Sequence, residues 1–282
     1  MKHDLSLILV TFFWGLTFVT VKEAIAFIPP FNFLLYRFSI AFLLLLIVSA
    51  KKIRHIDFYT LKSGLFIGVF LFLGYALQTV GLKYTTPANA GFITGLSVVI
   101  VPFLSSILFK TKLKKNVIVG VALACIGLAF LSLQKFAISY GDFLILLCAF
   151  AFAMHIILVG KYAPKMDIFS ITTIQIGAVA IFSFFFSFTE SSFEFNTVIW
   201  KALIITAVFA TVLAFLLQNA AQKHVSPTHT ALIFAMEPVF AALCSYLLIS
   251  EIFTLQKMLG CIFILCGMII TRFRRTNRVK KV

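Results

Sequence analysis

Ten long apolar runs, separated by short segments that hold most of the charged residues, constrain this chain more than any other feature of its sequence. Each run has about the 17–25 residues that an α-helix needs to cross the hydrocarbon core of a bilayer. The runs are Leu5–Val21, Phe31–Ala50, Leu61–Leu82, Pro87–Phe109, Asn116–Leu133, Asp142–Gly160, Ile168–Phe188, Val198–Gln222, Pro227–Ile249 and Gln256–Thr271. Because the segments between them are too short to hold a soluble domain, any functional site must be built inside a bundle of helices in lipid.

The composition agrees with a chain solvated by lipid, since 62% of its residues are hydrophobic and 12% are charged. A soluble domain is closer to about half apolar and a quarter charged. Backbone groups find no partners in lipid, so a spanning segment must be a helix or part of a closed barrel. Barrel strands are about 10 residues long and alternate in polarity, whereas these runs are longer and do not alternate. We therefore predict an all-α membrane protein with ten transmembrane helices.

The net charge of +15 would indicate a nucleic-acid partner in a soluble protein. Here the basic residues follow the topology instead. With the N-terminus on the inner side, 18 of the 24 lysines and arginines fall in inner segments, 5 fall in outer segments, and Arg37 lies within a span. By the positive-inside rule this distribution places both termini in the cytoplasm. We predict a multi-pass protein of a bacterial inner (plasma) membrane. Its partner is the lipid bilayer, and we expect no nucleic-acid partner.

The second half of the chain repeats the first at an offset of 140 residues, which pairs Gln78 with Gln218, Lys83 with Lys223, Pro87 with Pro227, Gly120 with Gly260, and Gly127 with Gly267. Each copy holds five runs, an odd number, so the second copy would enter the membrane from the opposite side. Inverted repeats are typical of secondary transporters, whose binding site lies near the membrane midplane between the repeats. We predict one five-helix repeat over residues 5–135, a second over 142–272, and a basic cytoplasmic tail over 273–282.

Two features of the repeat predict local structure. Thr86-Pro87 and Ser226-Pro227 each provide a hydroxyl for an N-cap and a proline for the first helical position. The two repeated glycines of each copy lie two turns apart on one helix face, where a neighbouring helix can approach closely.

Several segments resemble the EamA family of the drug/metabolite transporter superfamily. Phe13-Trp14-Gly15-Leu16-Thr17-Phe18-Val19 resembles the W-G-x-x-F opening of that family, and Glu237-Pro238-Val239-Phe240-Ala241-Ala242-Leu243 with Ser250-Glu251 resembles its ninth-to-tenth helix signature. The match runs through both repeats. The resemblance implies ten helices in two inverted five-helix units and an exporter-like role for small metabolites or drugs. It also implies a central cavity lined mainly by the first, third, fourth, sixth, eighth and ninth helices.

Glu237 is a candidate substrate-binding and proton-coupling residue. It lies about ten residues into the ninth run, near the middle of the bilayer, where an ionisable group is costly and usually functional. The following Pro238 has no N–H and leaves the carbonyl of Phe234 without its helical partner, so Pro238 is a candidate hinge. A neutral glutamic acid hydrogen-bonded to a neighbouring helix is the structural alternative.

Five further residues within the runs are candidate substrate-binding residues: Trp14, Gln78, His155, Gln218 and Asn219. Trp14 lies too deep for an interfacial anchor, and it suits a cavity wall that stacks on a substrate or makes a cation–π contact. The amides suit either hydrogen bonds between helices or a contact with substrate. His155 is either titratable near neutral pH or a buried neutral ring.

Four residues are candidates for gates or hinges, namely Pro238 and three others. Asn89 and His229 each lie two residues past a helix-starting proline, near opposite membrane faces, and suit a gate or a helix start. Pro102 would kink the fourth run because it frees a carbonyl one turn earlier. Arg37 lies near the outer end of the second run, where it would reach lipid headgroups or brace a loop rather than bind substrate.

The motifs of catalytic and nucleotide-binding sites are missing from the sequence, which has no phosphate-binding glycine loop, no G-x-S-x-G segment and no H-E-x-x-H segment. We therefore expect no enzyme activity, no cofactor and no metal. The sequence predicts a secondary transporter, an exporter of small organic metabolites such as amino acids or drugs, that works by alternating access. A non-transporting membrane scaffold and a lipid-intermediate flippase remain open, as does a homodimer through the pairs Gly64/Gly68 and Gly91/Gly95.

Overall fold

The computed structural model describes residues 2–53, 56–110, 112–132, 139–241, 243 and 254–272 of the chain. Over these residues the regular secondary structure is helical, with short connections between the helices. The predicted tail over 273–282 and the end of the first predicted repeat, 133–135, lie outside the described residues, as does Ser250-Glu251 of the resemblance.

The described helices form ten rods, four of which are interrupted. In chain order they are Lys2–Gly15 and Thr17–Ala24 (α1), Pro30–Ile53 (α2), Phe58–Tyr84 (α3), Pro87–Gly95 and Ser97–Leu108 (α4), Lys115–Ser132 (α5), Tyr140–Tyr162 (α6), Ile168–Ser187 (α7), Thr197–Ile204, Ile205–Leu213 and Ala214–Gln222 (α8), Pro227–Phe234 with the helical residues 237–241 (α9), and Leu255–Arg272 (α10). Seven of them, α1–α4 and α6–α8, are long and apolar enough to cross a membrane. Of the ten predicted spans, the described residues thus confirm seven by length and composition. α5 and α10 are shorter apolar helices, and α9 is described as short segments.

The predicted helix starts of α4 and α9 are confirmed. The Thr86 hydroxyl accepts a hydrogen bond from the backbone N–H of Asn89 at 3.2 Å, with Pro87 at the first turn. The Ser226 hydroxyl accepts one from the N–H of His229 at 3.4 Å in the same way. The two copies of the chain therefore begin their fourth helix with the same local chemistry.

The repeated glycines bring α5 and α10 into backbone contact, as the sequence predicted. A methyl group added at Gly120 would lie 2.7 Å from the carbonyl oxygen of Gly267, and one at Gly127 would lie 2.6 Å from that of Gly260. The later glycine of each helix meets the earlier glycine of the other, so the two helices run antiparallel. α5 and α10 are the fifth helices of the two halves.

The second helices of the two halves, α2 and α7, are also antiparallel. The rings of Phe31 and Phe186 are 5.1 Å apart between centroids near one end of the pair. At the other end the hydroxyls of Ser49 and Thr173 lie 3.0 Å apart. In these two pairs, corresponding helices of the halves thus point in opposite directions.

Further contacts between the halves come in matched pairs. α3 packs on α6, and α1 packs on α8; α4 packs on α6, and α1 packs on α9. Exchanging the two halves converts each of these contacts into its counterpart. Besides the pairs α2/α7 and α5/α10, the interface between the halves thus includes α1, α3, α4, α6, α8 and α9, and it is among these six helices that a site shared by both halves would form.

Apolar clusters hold α1 on both sides of its interruption at Leu16. Leu7 and Val10 belong to a cluster built with α4, α6, α8 and α9. Phe18 and Val21 belong to a second cluster, which includes residues of α2, α3, α6 and α8. The interruption of α1 therefore lies between two packed layers.

α4 and α9 are interrupted at equivalent positions. The N–H of Leu96 donates to the carbonyl of Ile93 at 3.1 Å, and the N–H of Met236 donates to that of Ile233 at 2.9 Å. Each bond spans three residues instead of the four of an α-helix, so the chain tightens for one turn. Leu96 and Met236 are 140 residues apart, so the interruption belongs to the repeat.

The tight turn of α4 lies at Leu96, six residues before Pro102, where the sequence predicts a kink. Pro102 lies inside the continuous segment Ser97–Leu108 and is buried there. A proline removes one N–H donor, which this segment tolerates, whereas the tight turn at Leu96 ends one helical segment and starts the next. In α9 the interruption directly precedes Glu237-Pro238, as the sequence indicated.

Candidate functional site

A cavity opens between the two halves of the chain. Six helices line it, α1, α3, α4, α6, α8 and α9, the same six that the family resemblance implies. The space free of protein atoms amounts to about 590 Å³, part of which is open to solvent. The interruptions of α1, α4 and α9 all lie at this cavity.

The lining of the cavity follows the repeat. Four pairs of lining residues are separated by 140 positions: Tyr75 and Phe215, Gln78 and Gln218, Thr94 and Phe234, and Ser97 and Glu237. Each half thus contributes equivalent positions of its third and fourth helices to the lining of the cavity. The side chains differ between the halves, so a pseudo-symmetric frame encloses an asymmetric site.

Five of the six residues that the sequence selected for substrate binding line this cavity: Trp14, Gln78, His155, Gln218 and Glu237. The sixth, Asn219, does not line it. The amide nitrogen of Asn219 donates to the Thr172 hydroxyl at 2.7 Å, in a buried bond from α8 to α7. Adjacent residues of a helix point about 100° apart, and here Gln218 lines the cavity while Asn219 is bonded to α7.

Glu237 is the acidic residue of the lining. It is the first helical residue after the interruption of α9, and it is half-buried. Among the residues that the structure describes, none donates a hydrogen bond to its carboxylate or forms an ion pair with it. A methyl group at Gly15 would lie 2.8 Å from the Glu237 carbonyl oxygen, so the glycine after Trp14 lets α1 reach this point of α9.

Trp14 is fixed at the wall by a backbone carbonyl of α8. Its indole Nε1–H donates to the carbonyl of Ala210 at 3.0 Å. Ala210 lies in Ile205–Leu213, where α8 takes π-helical form; such widened turns occur often at functional sites. The indole also packs against Phe234 with ring centroids 4.9 Å apart. These contacts hold Trp14 in place as an aromatic part of the cavity wall.

Three polar side chains of the lining are each hydrogen-bonded to one neighbouring side chain. His155 Nε2 lies 2.8 Å from Gln175 Oε1. The Gln78 amide donates to the Thr94 hydroxyl at 3.4 Å. The Gln218 amide donates to Gln222 at 2.9 Å, while the Gln218 carbonyl oxygen has no hydrogen-bond partner among the described groups.

Arg37 is buried, and the expected position at the headgroups was wrong. Only 3% of its surface is exposed. Its Nε donates to the Thr211 hydroxyl at 2.9 Å and its Nη2 to the Tyr75 hydroxyl at 3.3 Å. Counting residues along α2 gave its depth but not its surroundings, since α3 and α8 pack over the guanidinium. Arg37 thus lies directly behind the cavity wall, with its charge 4.6 Å from the centre of the Tyr75 ring.

The two candidate gate residues each contact an aspartate at the start of the other half's first helix. His229 Nε2 lies 3.3 Å from a carboxylate oxygen of Asp4, on α1. At the opposite end, Asp142 of α6 is hydrogen-bonded by the side chains of Thr85 and Asn89. The starts of α4 and α9 are thereby joined to the starts of α6 and α1.

Sequence reasoning missed Tyr75, Phe152 and Ser97 in the lining. The repeat carried a signal for one of them, because the 140-residue offset maps the candidate Glu237 to Ser97; Phe215, the counterpart of Tyr75, was itself not a candidate. For Phe152 the sequence holds no such signal, since phenylalanines are common throughout the runs.

Known proteins resemble this chain over nearly its whole length. The family profile described as "EamA-like transporter family" matches residues 1–133 and again 139–273. An uncharacterised transporter of Archaeoglobus fulgidus is 40% identical over 96% of this chain and 86% of its own. The transporter YyaM of Bacillus subtilis, also uncharacterised, is 27% identical over 95% of this chain and 94% of its own.

Two further similarities are more distant. A Salmonella typhimurium protein named "Probable amino-acid metabolite efflux pump" is 26% identical over 99% of this chain and 98% of its own. A crystal structure superimposes with a TM-score of 0.79 over 96% of both chains at 17% identity, which supports the fold alone.

Proposed function

The chain belongs to the EamA-like transporter family, and from that premise we propose that it is a secondary transporter that exports a small organic metabolite by alternating access. Membership makes it a multi-pass integral membrane protein whose partners are a substrate and the lipid bilayer. The observation that carries the proposal is the cavity between the two halves, with repeat-equivalent positions in its lining. The relative in Salmonella, named for amino-acid metabolite efflux, supports a substrate of that size.

The antiparallel contacts support two inverted five-helix units that together span the membrane ten times. In such a frame, exchanging the conformations of the two units would move the opening of the cavity from one membrane face to the other. The excess of lysine and arginine in the inner segments supports a cytoplasmic location for both termini. A homodimer is not needed, because each chain contains both units and the whole cavity.

The contacts at the two ends support gate roles for His229 and Asn89. Asp4 and His229 would close the cytoplasmic end, and Asp142 with Asn89 would close the outer end. Release of one contact while the other holds would open the cavity on one side. Glu237 would couple the exchange to protons, because a carboxyl group inside a cavity can carry or release a proton as the access changes.

Transport through the cavity can be tested by filling it. Ser97→Phe adds a ring to the lining, and Leu108→Phe adds a ring on the same helix at a position that is 52% exposed. Cells that overproduce the chain would first be screened for resistance to toxic metabolites, and flux of the solute found would then be measured in reconstituted vesicles. We expect Ser97→Phe to abolish flux and Leu108→Phe to preserve it. Equal flux in the two variants would contradict a route through this cavity.

A further inference from the structure

The geometry points to a protonated organic amine, a small cation with an apolar body, as the substrate that this cavity selects. The inference rests on the proposed function, since it takes the cavity between the halves to be the transport site. Three observations carry it. They are the aromatic wall, the single acidic group of the described lining, and the absence from that lining of a lysine or arginine that could pair with a substrate carboxylate.

The aromatic wall is continuous. Phe152 packs on Tyr75 with ring centroids 5.3 Å apart, and Tyr75 packs on Phe215 at 6.3 Å. Phe215 packs on Trp14 at 5.7 Å, and Trp14 packs on Phe234 at 4.9 Å. All five rings line the cavity. The faces of aromatic rings carry partial negative charge, and cages of such rings are a recurrent means of binding ammonium groups.

The Glu237 carboxylate supplies the complementary charge. Among the described lining residues it is the one acidic group, and no described residue donates to it. A charge in a site of low polarity is costly until it is paired and hydrogen-bonded. The N–H groups of a protonated amine would satisfy this carboxylate.

The described lining contains no lysine or arginine that could receive a substrate carboxylate. Arg37 lies behind Tyr75, and its N–H groups donate to Tyr75, Thr211 and the carbonyl of Ala210. His155, the other lining residue that can carry charge, is engaged through Nε2 with Gln175. A zwitterionic amino acid would therefore leave its carboxylate without a cationic partner, and an anion would also be repelled by Glu237.

The chain carries its own reporter for a binding test. It has two tryptophans; Trp14 lines the cavity, and Trp200 is 50% exposed. Trp200→Phe leaves Trp14 as the fluorophore. Its emission would be titrated, in the full-length purified protein, with four compounds that share a phenyl ring: 2-phenylethylamine, 2-phenylethanol, phenylalanine and 3-phenylpropionate.

We expect the amine to bind at least about tenfold more tightly than the alcohol, the zwitterion or the anion, as for a charge-assisted hydrogen bond. Glu237→Gln should remove that preference, while Glu194→Gln, which removes an exposed carboxylate, should keep it. Phenylalanine or phenylpropionate binding as tightly as the amine would overturn the inference. So would an amine that does not bind, or an amine preference that survives in a folded Glu237→Gln protein.

The aromatic wall is tested separately from the carboxylate. Phe152→Leu removes a ring of the wall, and Phe150→Leu removes a ring on the same helix that is 47% exposed. We expect Phe152→Leu to weaken amine binding about 2- to 30-fold, the range of a cation–π contact, and Phe150→Leu to leave it unchanged. Equal affinities in these two variants would overturn the role of the wall.

Binding and flux separate this inference from the proposed function. Tight amine binding without flux in vesicles would support the chemical class of the ligand and contradict the proposal that the protein is a transporter. Flux of phenylalanine that is unchanged in Glu237→Gln would support the proposed transport function and contradict the inferred substrate class.

Discussion

Glu237 places an acidic side chain at the turn where α9 is interrupted, with its carboxylate in reach of whatever enters the cavity. A proton on this carboxyl and a positively charged solute would compete for the same oxygens. The residue therefore has the position that a coupling group needs, and its role is open to a direct measurement.

We predict that Glu237→Gln abolishes flux driven by a pH gradient, because the amide keeps the size of the side chain but cannot take up or release a proton. Flux would be followed in vesicles with an imposed pH gradient, and thermal unfolding of the purified variant would verify that it is folded. Exchange of labelled substrate without a gradient is the companion measurement. Gradient-driven flux at the wild-type rate would end the proton-coupling proposal.

Arg37 is a buried residue that hydrogen-bonds neighbouring helices, and a substitution can distinguish this role from that of a residue that reaches the headgroups. Its planar guanidinium serves two hydroxyls and one carbonyl at once, a geometry that a lysine ammonium cannot reproduce. We predict that Arg37→Lys lowers the free energy of unfolding by about 1–3 kcal/mol, seen as a lower thermal midpoint in detergent. A headgroup-reaching side chain would accept lysine equally well, so an unchanged midpoint would contradict the observed burial.

At the level of helices, the glycine contacts between α5 and α10 fix how closely the two halves approach. A side chain at Gly127 would collide with the backbone of Gly260, and backbone cannot move aside as a flexible side chain can. At Gly91, by contrast, an added methyl group would have its nearest neighbour at 3.9 Å, on Phe18. The two glycines thus form a matched pair for substitution.

We predict that Gly127→Ala destabilises the protein by about 1–3 kcal/mol through overpacking, while Gly91→Ala is neutral or slightly stabilising because alanine favours the helix. Thermal unfolding of the two variants in the same detergent measures the difference. A Gly127→Ala protein as stable as the Gly91→Ala protein would show that α5 and α10 do not pack this closely.

The helices were largely predictable because a helix that crosses lipid is one continuous apolar segment of sufficient length, and both properties can be read from neighbouring residues in the sequence. The caps at Thr86 and Ser226 were predictable for the same reason, since each depends on neighbouring residues alone. The tight turn at Met236 comes just before Glu237-Pro238, where the sequence indicated a break in the helix. The turn at Leu96 was not predicted, although Gly95 precedes it, because the kink of this helix was assigned to Pro102, which lies within a continuous segment. The π-helical turn in α8 accepts hydrogen bonds from Trp14 and Arg37, which lie in distant parts of the chain.

The candidate site was predictable to the extent that the repeat carried it. Gln78 and Gln218 were found because both copies keep the same amide, and both line the cavity. Asn219 was misplaced because a single residue of offset turns a side chain to another helix. Arg37 was misplaced because depth along a span says nothing about which helices cover it. In each case the missing information was lateral, in the packing of one helix against another.

Across the whole molecule, the two aspartate contacts lie at opposite ends of the bundle, and each joins the two halves at its own end. We predict that a short bifunctional thiol reagent, applied to Asp4→Cys/His229→Cys in a background without the five native cysteines, stops flux, and that cleaving the linker restores it. The single variant Asp4→Cys, treated alike, controls for modification alone. Undiminished flux through the crosslinked protein would show that this end does not need to open.

The π-helical turn of α8 has a consequence for energetics. Its counterpart in the other half, α3, is a regular helix from Phe58 to Tyr84. If the halves were identical, the unloaded carrier would spend equal time facing either compartment. One widened turn, which accepts hydrogen bonds from Trp14 and Arg37, makes the halves unequal, so we expect an empty carrier to favour one of its two orientations.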